Sequence, residues 1–219
     1  MVFCCLPRGG RSAQPGTPSR ARSQNFQGSG EEVELGLWRP NQKVRVALLG
    51  LDDSGKSSLL HSLQQEHSAL SRRQGDRDEG ETRLCAPPPT TEARTAIVSL
   101  AGLKVTVTDC PGRKAFREAW LDVVGESDAI AFAVDSNDAM RMPVAGVELG
   151  RVIFRAEASG TPVLVLATKQ DLAGAVPPGD LGAALGLAQG AAQVVGCTAT
   201  NPAGVREAME GFLAGRTAR

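Results

Sequence analysis

The strongest constraint on this chain is a short run with two glycines, a lysine and a serine at fixed spacing. Residues 50–57 read Gly-Leu-Asp-Asp-Ser-Gly-Lys-Ser and fit G-x-x-x-x-G-K-[ST], a pattern typical of loops that bind nucleotide phosphates. Glycine lets the backbone approach phosphate oxygens that a Cβ would block, so successive N–H groups can surround the anion. Lys56 supplies a point charge for the β and γ phosphates, and the Ser57 hydroxyl suits Mg²⁺. The candidate phosphate-binding residues are Gly50, Leu51, Asp52, Asp53, Ser54, Gly55, Lys56, Ser57 and Ser58.

The residues on either side of this run are those that a phosphate-binding loop needs. Apolar residues alternate along 43–49, which predicts a strand entering a covered sheet. Leucines recur at helical spacing over 59–63, so a helix should begin at the loop and direct its positive dipole end at the phosphates. The order strand, loop, helix favours a phosphate site over the alternative, which is an ordinary glycine-rich turn.

Length, charge and cysteine usage narrow the class of protein. The 219 residues are enough for one domain of about 150–200 residues plus a tail. Basic and acidic residues both number 24, so bulk charge gives no reason to expect nucleic-acid binding. No apolar run approaches the roughly 20 residues of a membrane span. The five cysteines show no C-x-x-C spacing, so we expect reduced thiols in a cytoplasmic protein.

Two stretches lack the periodicity of folded segments. Residues 1–40 are dominated by Arg, Ser, Gly, Pro and Gln, which predicts a disordered basic arm. Residues 68–89 are rich in Arg, Asp, Glu and Gly and end on three prolines, which predicts a long solvated loop. The folded domain should therefore span residues 41–215 and contain this extended loop.

From residue 90 onward the chain alternates between short apolar runs and helical segments. Strands that alternate with helices predict an α/β fold with a mainly parallel sheet. In such sheets the ligand lies beyond the carboxyl ends of the strands. The expected strands after the loop are 97–100, 103–107, 129–134, 162–167 and 193–197, and the expected helices are 115–124, 138–157 and 203–213.

Three further motifs accompany the phosphate loop: Asp-Cys-Pro-Gly at 109–112, Thr-Lys-Gln-Asp at 168–171 and Cys-Thr-Ala-Thr at 197–200. Together with Gly-Leu-Asp at 50–52, they make the chain resemble the Arf and Arf-like branch of the small GTPases over roughly residues 43–213. The resemblance implies the phosphate-loop NTPase fold of small GTPases, a mainly parallel six-stranded sheet with helices on both faces.

The resemblance implies a guanine site built from the later motifs. Asp171 would read the base, because its carboxylate can accept both the N1–H and the 2-amino group of guanine. The stem of Lys169 would cover the base, and the Ala199 N–H would meet its carbonyl beside Thr198. Thr168 stands where the family more often has asparagine. Taken alone, Asp171 is more typical of a helix cap, and the phosphate loop upstream favours the ligand role.

The resemblance also implies a site for Mg²⁺ and the γ-phosphate. Asp109 would hold Mg²⁺ through a water, Ser57 would bind it directly, and the Gly112 N–H would meet the γ-phosphate. Thr90 fits the threonine that completes the Mg²⁺ shell with GTP bound; the alternative is a solvated loop threonine. The implied cofactors are GTP or GDP and Mg²⁺.

Several residues depart from the family pattern. Arg113 follows Gly112 at the position of the catalytic glutamine that orients the attacking water, and arginine donates hydrogen bonds but accepts none. We therefore expect weak hydrolysis, since the intrinsic rate in small GTPases is already on the order of 10⁻⁴ per second. Pro111 replaces a glycine of the family, and Thr-Glu-Ala at 91–93 replaces a family run that contains a glycine. The two switch segments of the family, which change with the bound nucleotide and here contain Thr90 and Gly112, should therefore be stiffer.

These observations predict a guanine-nucleotide switch of the Arf-like type that works in membrane or vesicle trafficking with effector, exchange-factor and activating proteins. Two alternatives stay open: a pseudo-GTPase scaffold that binds nucleotide permanently or not at all, and another phosphate-loop enzyme such as an ATPase or small-molecule kinase. Cys4 and Cys5 lie near arginines, which suggests peripheral membrane contact through two acyl chains and the basic arm. The alternative is that this arm is an inert tail. No nucleic-acid partner is expected.

Overall fold

The structure of the chain is a computed structural model. The residues that it describes are 38–39, 41–72, 92–188 and 190–216. Most of the predicted basic arm, with Cys4 and Cys5, lies outside these ranges. So do residues 73–91, which contain Thr90 and most of the predicted loop.

Within the described ranges the chain forms six strands, five α-helices and one 3₁₀ helix. The strands are β1 (Lys43–Leu49), β2 (Arg94–Leu100), β3 (Leu103–Asp109), β4 (Ala129–Asp135), β5 (Val163–Thr168) and β6 (Gln193–Gly196). The helices are α1 (Lys56–Arg72), the 3₁₀ helix (Lys114–Ala119), α2 (Trp120–Glu126), α3 (Met142–Ser159), α4 (Pro178–Ala184) and α5 (Pro202–Ala214).

The six strands form one sheet in the order β2-β3-β1-β4-β5-β6. β1 pairs in parallel with β3 and β4, β4 with β5, and β5 with β6, whereas β2 pairs antiparallel with β3. The predicted α/β fold with a mainly parallel six-stranded sheet is confirmed. Because all strands but β2 point the same way, the segments that carry the sequence motifs leave the same edge of the sheet.

Helices cover both faces of the sheet, as the family resemblance implies. On one face α1 and α5 pack against alternate residues of β1, among them Val46 and Leu48. On the other face α2, α3 and α4 pack against the remaining positions, including Ala47 and Leu49. A strand covered on both faces must be apolar almost throughout, which explains the continuous apolar run of β4, where residues 129–134 are all buried.

Several elements differ from their expected bounds; β2 begins at Arg94 rather than at 97, and α3 begins at Met142 rather than at 138. α1 continues to Arg72, so the irregular stretch begins later than residue 68, because no glycine or proline interrupts the chain before Gly75. The expected helix at 115–124 is divided into the 3₁₀ helix and α2. The sequence does not predict α4, since this short helix contains Gly179 and Gly182. None of the helices in the described ranges has the length and apolar character needed to cross a membrane.

Trp38 belongs to the folded core, although the sequence assigns it to the arm. Its side chain is 7% exposed and packs in the cluster formed by α1, α5 and one face of the sheet. Its backbone N–H donates to the carbonyl oxygen of Arg216 over 2.6 Å, which joins the two ends of the described chain. The packed core therefore includes a residue that precedes the expected boundary at residue 41.

We expect Trp38→Ala to lower the free energy of unfolding by about 3 kcal/mol, because truncating a buried tryptophan loses its burial and leaves a cavity. Val147→Ala is the control: this side chain on α3 is 68% exposed, so its truncation should change stability by less than about 0.5 kcal/mol. Urea unfolding of both variants measures the difference. A Trp38→Ala protein as stable as the wild type would mean that the domain does not depend on this residue.

Candidate functional site

The phosphate loop joins β1 to α1 with a backbone path that its glycines allow. Gly50 has φ 138° and Gly55 has φ 87°. Asp53 has φ 58°, in the left-handed region that aspartate tolerates better than most residues. Gly50 also lies against β4, where a Cβ would be 2.2 Å from the carbonyl oxygen of Ala133. The loop can therefore follow this path only with glycine at position 50.

Lys56 is enclosed by the loop that precedes it. The residue is 6% exposed, and its Nζ donates to the carbonyl oxygen of Leu51 over 2.6 Å and lies 3.4 Å from Ser54 Oγ. Burial lowers the pKa of Lys56, and the nearby carboxylates of Asp109 and Asp52 oppose this shift. A phosphate would give the ammonium group an anionic partner in place of the neutral carbonyl.

Two of the residues expected to hold Mg²⁺ meet directly beneath the loop. Ser57 Oγ, in the first turn of α1, donates to Asp109 Oδ2 at the end of β3 over 2.5 Å. A hydroxyl and a buried carboxylate are oxygen donors of the kind that Mg²⁺ takes, so the donor set fits this ion. Among the described residues no group of three or more histidine, cysteine or acidic side chains could hold a metal. Thr90, the third residue expected to hold Mg²⁺, lies outside the described ranges.

The Asp-Cys-Pro-Gly segment is held by two side chains that follow it in the chain. Trp120 Nε1 donates to the carbonyl oxygen of Pro111 over 2.9 Å. Arg117 Nε donates to the carbonyl oxygen of Gly112, also over 2.9 Å. Gly112 lies so close to the phosphate loop that a Cβ would be 2.4 Å from the backbone nitrogen of Asp52. This contact requires glycine at position 112.

Arg113, at the position of the family's glutamine, precedes the 3₁₀ helix in an extended conformation, with φ −65° and ψ 144°. Its side chain is exposed. Its guanidinium makes no hydrogen bond or ion pair with any residue in the described ranges. Nothing in this part of the chain therefore orients Arg113 toward the phosphate loop.

The base motif begins at the end of β5, and its first residue contacts the phosphate loop. Thr168 is buried, and its Oγ1 lies 2.9 Å from the carbonyl oxygens of both Ser54 in the loop and Val134 in β4. The next residue, Lys169, has φ 59°, and its Nζ pairs with Asp135 Oδ2 at 2.6 Å. The phosphate loop, β4 and the base motif are thus bonded to one another at the carboxyl edge of the sheet.

Asp171 and the Cys-Thr-Ala-Thr segment face each other beyond the ends of β5 and β6. Thr198 Oγ1 donates to Asp171 Oδ1 over 2.6 Å and lies 3.0 Å from Thr200 Oγ1. Ala199 is tied to α1, because Ser62 Oγ donates to its carbonyl oxygen over 2.6 Å. No described helix begins beside Asp171, so its alternative role as a helix cap is not observed.

Several contacts of the site involve residues to which the sequence assigns no role. Asp135 anchors Lys169, and it lies in a strand end whose resemblance to the family could have identified it. Ser62 and Arg141 are different, because no local pattern points to them. The Nη1 group of Arg141 donates to the carbonyl oxygen of Asp52 over 3.0 Å, although the two residues are far apart in sequence.

Cys110 and Cys197 lie next to the candidate site as free, buried thiols. Burial, with a smaller contribution from Asp109, raises the pKa of Cys110 to about 11. Burial also raises the pKa of Cys197 to about 12. Protonated buried thiols are poor nucleophiles and poor metal ligands, so neither cysteine adds chemistry to the site. The expectation of reduced thiols holds for these two, and the other three cysteines lie outside the described ranges.

Sequence comparison relates the chain to one family over most of its length. A model of the ADP-ribosylation factor family matches residues 32–214. The chain is 28% identical over 181 residues to ADP-ribosylation factor-like protein 3 of Chlamydomonas reinhardtii, covering 81% of this chain and 93% of that protein. It is 31% identical over 174 residues to ADP-ribosylation factor-like protein 4D of Homo sapiens, covering 77% of this chain and 81% of that protein.

Comparison with solved structures agrees with this family. The Arl6 BBS3 small GTPase of Trypanosoma brucei, solved with the bound nucleotide analogue GppNp, matches with a TM-score of 0.60 at 25% identity, over 80% of this chain and 100% of that one. The mammalian SRP receptor matches with a TM-score of 0.60 at 19% identity, over 77% of this chain and 99% of that one, which shows a shared fold alone. The resemblance read from the four motifs is confirmed, and the chain belongs to the ADP-ribosylation factor family as an Arf-like small GTPase.

Proposed function

We propose that this chain is a molecular switch that binds GTP or GDP with Mg²⁺ and hydrolyses GTP slowly when unaided. The observation that carries the proposal is the contact between Thr168 Oγ1 and the carbonyl oxygen of Ser54, 2.9 Å apart. This contact joins the base motif to the phosphate loop. It would therefore fix the distance between the part of the site that binds the base and the part that binds the phosphates. A phosphate loop that bound phosphate alone would need no such link.

Guanine recognition would rest on Asp171. An ionised carboxylate accepts two parallel hydrogen bonds, and guanine presents N1–H and a 2-amino group side by side. Thr198 donates to Asp171 Oδ1 and so holds the carboxylate in place. The stem of Lys169, anchored at Asp135, would cover the base, and the Ala199 N–H would meet its carbonyl. A site built on such hydrogen bonds can reject a base that lacks the donors by a factor of about 10⁴.

Ser57 and Asp109 would hold Mg²⁺, Ser57 directly and Asp109 through a water. The ion, when bound, neutralises charge on the β and γ phosphates. Lys56 would turn from the loop carbonyl to the same phosphates. Thr90 and the Gly112 N–H would approach the γ-phosphate in the GTP form and leave it in the GDP form, which is the switching step.

Slow hydrolysis would follow from Arg113. Its exposed side chain carries only donors, so it cannot accept a hydrogen bond from the attacking water as a glutamine carbonyl can. Its charge would still stabilise the transition state if a partner protein placed it beside the γ-phosphate. By analogy with the family, the switch would act in intracellular trafficking through effector, exchange-factor and activating proteins.

A pseudo-GTPase scaffold is the second candidate, and the bonding of the Asp-Cys-Pro-Gly segment favours it. The carbonyl oxygens of Pro111 and Gly112 are both bonded to side chains of this chain. These bonds do not involve a nucleotide, and Pro111 further restricts the backbone. A segment held in this way would differ little between nucleotide states.

The nucleotide content of the purified protein, kept in Mg²⁺ and then denatured and chromatographed, separates the proposed switch from a scaffold that binds no nucleotide. We expect guanine nucleotide in nearly equimolar amount, with GTP a substantial share because unaided hydrolysis is slow. GDP alone would mean that Arg113 permits hydrolysis. A protein that carries no nucleotide would favour the scaffold.

We expect Asp171→Asn to exchange guanine for xanthine specificity. An amide offers one acceptor and one donor in place of two acceptors, so GDP should bind about 10²-fold more weakly or worse. Xanthosine diphosphate, whose 2-oxygen accepts a hydrogen bond, should bind more tightly than it does to the wild type. Fluorescent-nucleotide competition measures both affinities. Asp180→Asn, an exposed carboxylate in the first turn of α4, is the control. Equal weakening for both nucleotides would contradict the base-reading role.

We expect Arg113→Gln to raise the single-turnover rate of GTP hydrolysis by about tenfold or more, because the amide carbonyl can accept a hydrogen bond from the attacking water. Lys114→Gln removes the same charge from the exposed neighbouring residue and should leave the rate unchanged. Phosphate release with enzyme in excess over GTP gives the rates. If the wild type is as fast as Arg113→Gln, position 113 does not limit hydrolysis.

A further inference from the structure

Arg117 joins three parts of the molecule through one guanidinium group. Its Nε donates to the carbonyl oxygen of Gly112 over 2.9 Å, its Nη2 lies 3.3 Å from Asp52 Oδ1, and its Nη1 lies 3.5 Å from Glu148 Oε1. Gly112 belongs to the Asp-Cys-Pro-Gly segment, Asp52 to the phosphate loop and Glu148 to α3. A single side chain therefore spans the two segments that would meet the γ-phosphate.

The pair between Arg117 and Glu148 is largely shielded from water, whereas the Asp52 side chain is 45% exposed. The side chains of Arg117 and Glu148 are only 10% and 15% exposed. Charge pairs are stronger in such surroundings than at an open surface, and removing one partner leaves the other uncompensated. Glu148 also pairs with Arg151 at 3.1 Å, but within the described ranges Arg151 makes no hydrogen bond or ion pair with the phosphate loop. Among the arginines that pair with Glu148, Arg117 is the one that reaches Gly112.

Asp52 is held from a second side, so it forms a firm anchor for Arg117. The Nη1 group of Arg141 donates to the carbonyl oxygen of Asp52 over 3.0 Å and lies 3.3 Å from Asp52 Oδ2. Arg141 is itself bonded through Nε to Asp138. The pair between Arg117 and Asp52 therefore connects Gly112 to a fixed point of the loop.

Gly112 is a residue that needs such a restraint. Glycine has the least restricted backbone of all residues, and the Gly112 N–H is the group that would sense the γ-phosphate. Trp120 donates a hydrogen bond to the carbonyl oxygen of Pro111. This carbonyl and the Gly112 N–H belong to one planar trans peptide group and point in opposite directions, so the bond also fixes the direction of the N–H. Arg117 holds the peptide that follows. The two side chains together restrain both sides of Gly112.

We propose that Arg117 is a positioning residue that holds Gly112 against the phosphate loop and thereby favours GTP over GDP, an inference that rests on the proposed guanine-nucleotide site. Only GTP has a γ-phosphate for the Gly112 N–H to meet. Ordering Gly112 in advance therefore reduces the entropy lost when GTP binds and leaves GDP binding unchanged. Lysine could not replace arginine, because its compact ammonium group cannot reach three acceptors that lie in different directions.

The test compares the release of fluorescent GDP and of fluorescent GppNp, which is not hydrolysed, from the wild type, Arg117→Ala and Arg117→Lys. We expect GppNp to leave both variants about tenfold faster than the wild type, and GDP to leave within about twofold of the wild-type rate. Arg151→Ala is the matched control, since it removes the other arginine that pairs with Glu148, and it should change neither rate. Equal acceleration for both nucleotides, or no acceleration, would overturn the proposal.

Hydrogen exchange of the nucleotide-free protein separates this inference from the proposed function. If the wild type binds no nucleotide, the proposed function fails, yet Arg117→Ala should still exchange the Gly112 amide about tenfold faster, and Arg151→Ala should not. Unchanged exchange at Gly112 would overturn the positioning role. Glu148→Gln keeps the shape of the side chain and removes its charge; it should shift both measurements in the same direction, and it serves if Arg117→Ala does not fold.

Discussion

The candidate site depends on how β1 is paired on its two sides. Its parallel register with β3 places Leu48 beside Asp109, and its register with β4 places Leu49 beside Phe132. The phosphate loop begins at the next residue, Gly50, so these two ladders determine which groups lie beneath and beside the loop. A shift of one residue in the ladder between β1 and β3 would turn every side chain of β3 to the opposite face and carry Asp109 away from the site.

Charges around the loop alternate in sign rather than forming a single basic pocket. The carboxylates of Asp109 and Asp52 both act on the pKa of Lys56, and Asp52 in turn pairs with Arg117 and Arg141. The buried charges of Lys56, Asp109 and Arg117 therefore each have an opposite charge nearby, which reduces the free energy needed to bury them. A phosphate that enters the loop would lie beside Lys56, whose hydrogen bonds are to two neutral groups, the Leu51 carbonyl and the Ser54 hydroxyl. The site can thus accept an anion without breaking an ion pair of Lys56.

The fold could be predicted largely from the sequence, because its signals are local. Parallel strands buried on both faces must be continuous apolar runs, and the phosphate loop and base motif are defined by short fixed spacings. Other features escaped prediction for physical reasons. Gly179 and Gly182 weaken the helical signal of α4, which forms nonetheless because Leu181 is fully buried in the core. Trp38 is an isolated apolar residue with no periodic neighbours, so only tertiary packing reveals its burial.

The parts of the site that the sequence did not predict are pairs between distant residues. Asp52 is separated from Arg117 by 65 positions and from Arg141 by 89. No spacing rule connects such residues, since their contact exists only after the strands have paired and α3 has packed on the sheet. The same holds for Ser62 and Ala199, which bring α1 to the base motif. Local motifs therefore predict which groups would touch a nucleotide, but they do not predict the groups that hold those residues in position.

Thr168 serves two acceptors with a single hydrogen. Its Oγ1 lies at the same distance, 2.9 Å, from the carbonyl oxygens of Ser54 and Val134, and a hydroxyl has only one hydrogen to donate. The asparagine more usual in the family carries two amide hydrogens and could satisfy two acceptors at once. In this chain the phosphate loop and β4 therefore compete for one proton. When the hydroxyl donates to one of these carbonyls, the other receives no hydrogen from Thr168, so one bond that an asparagine could supply is absent from this junction.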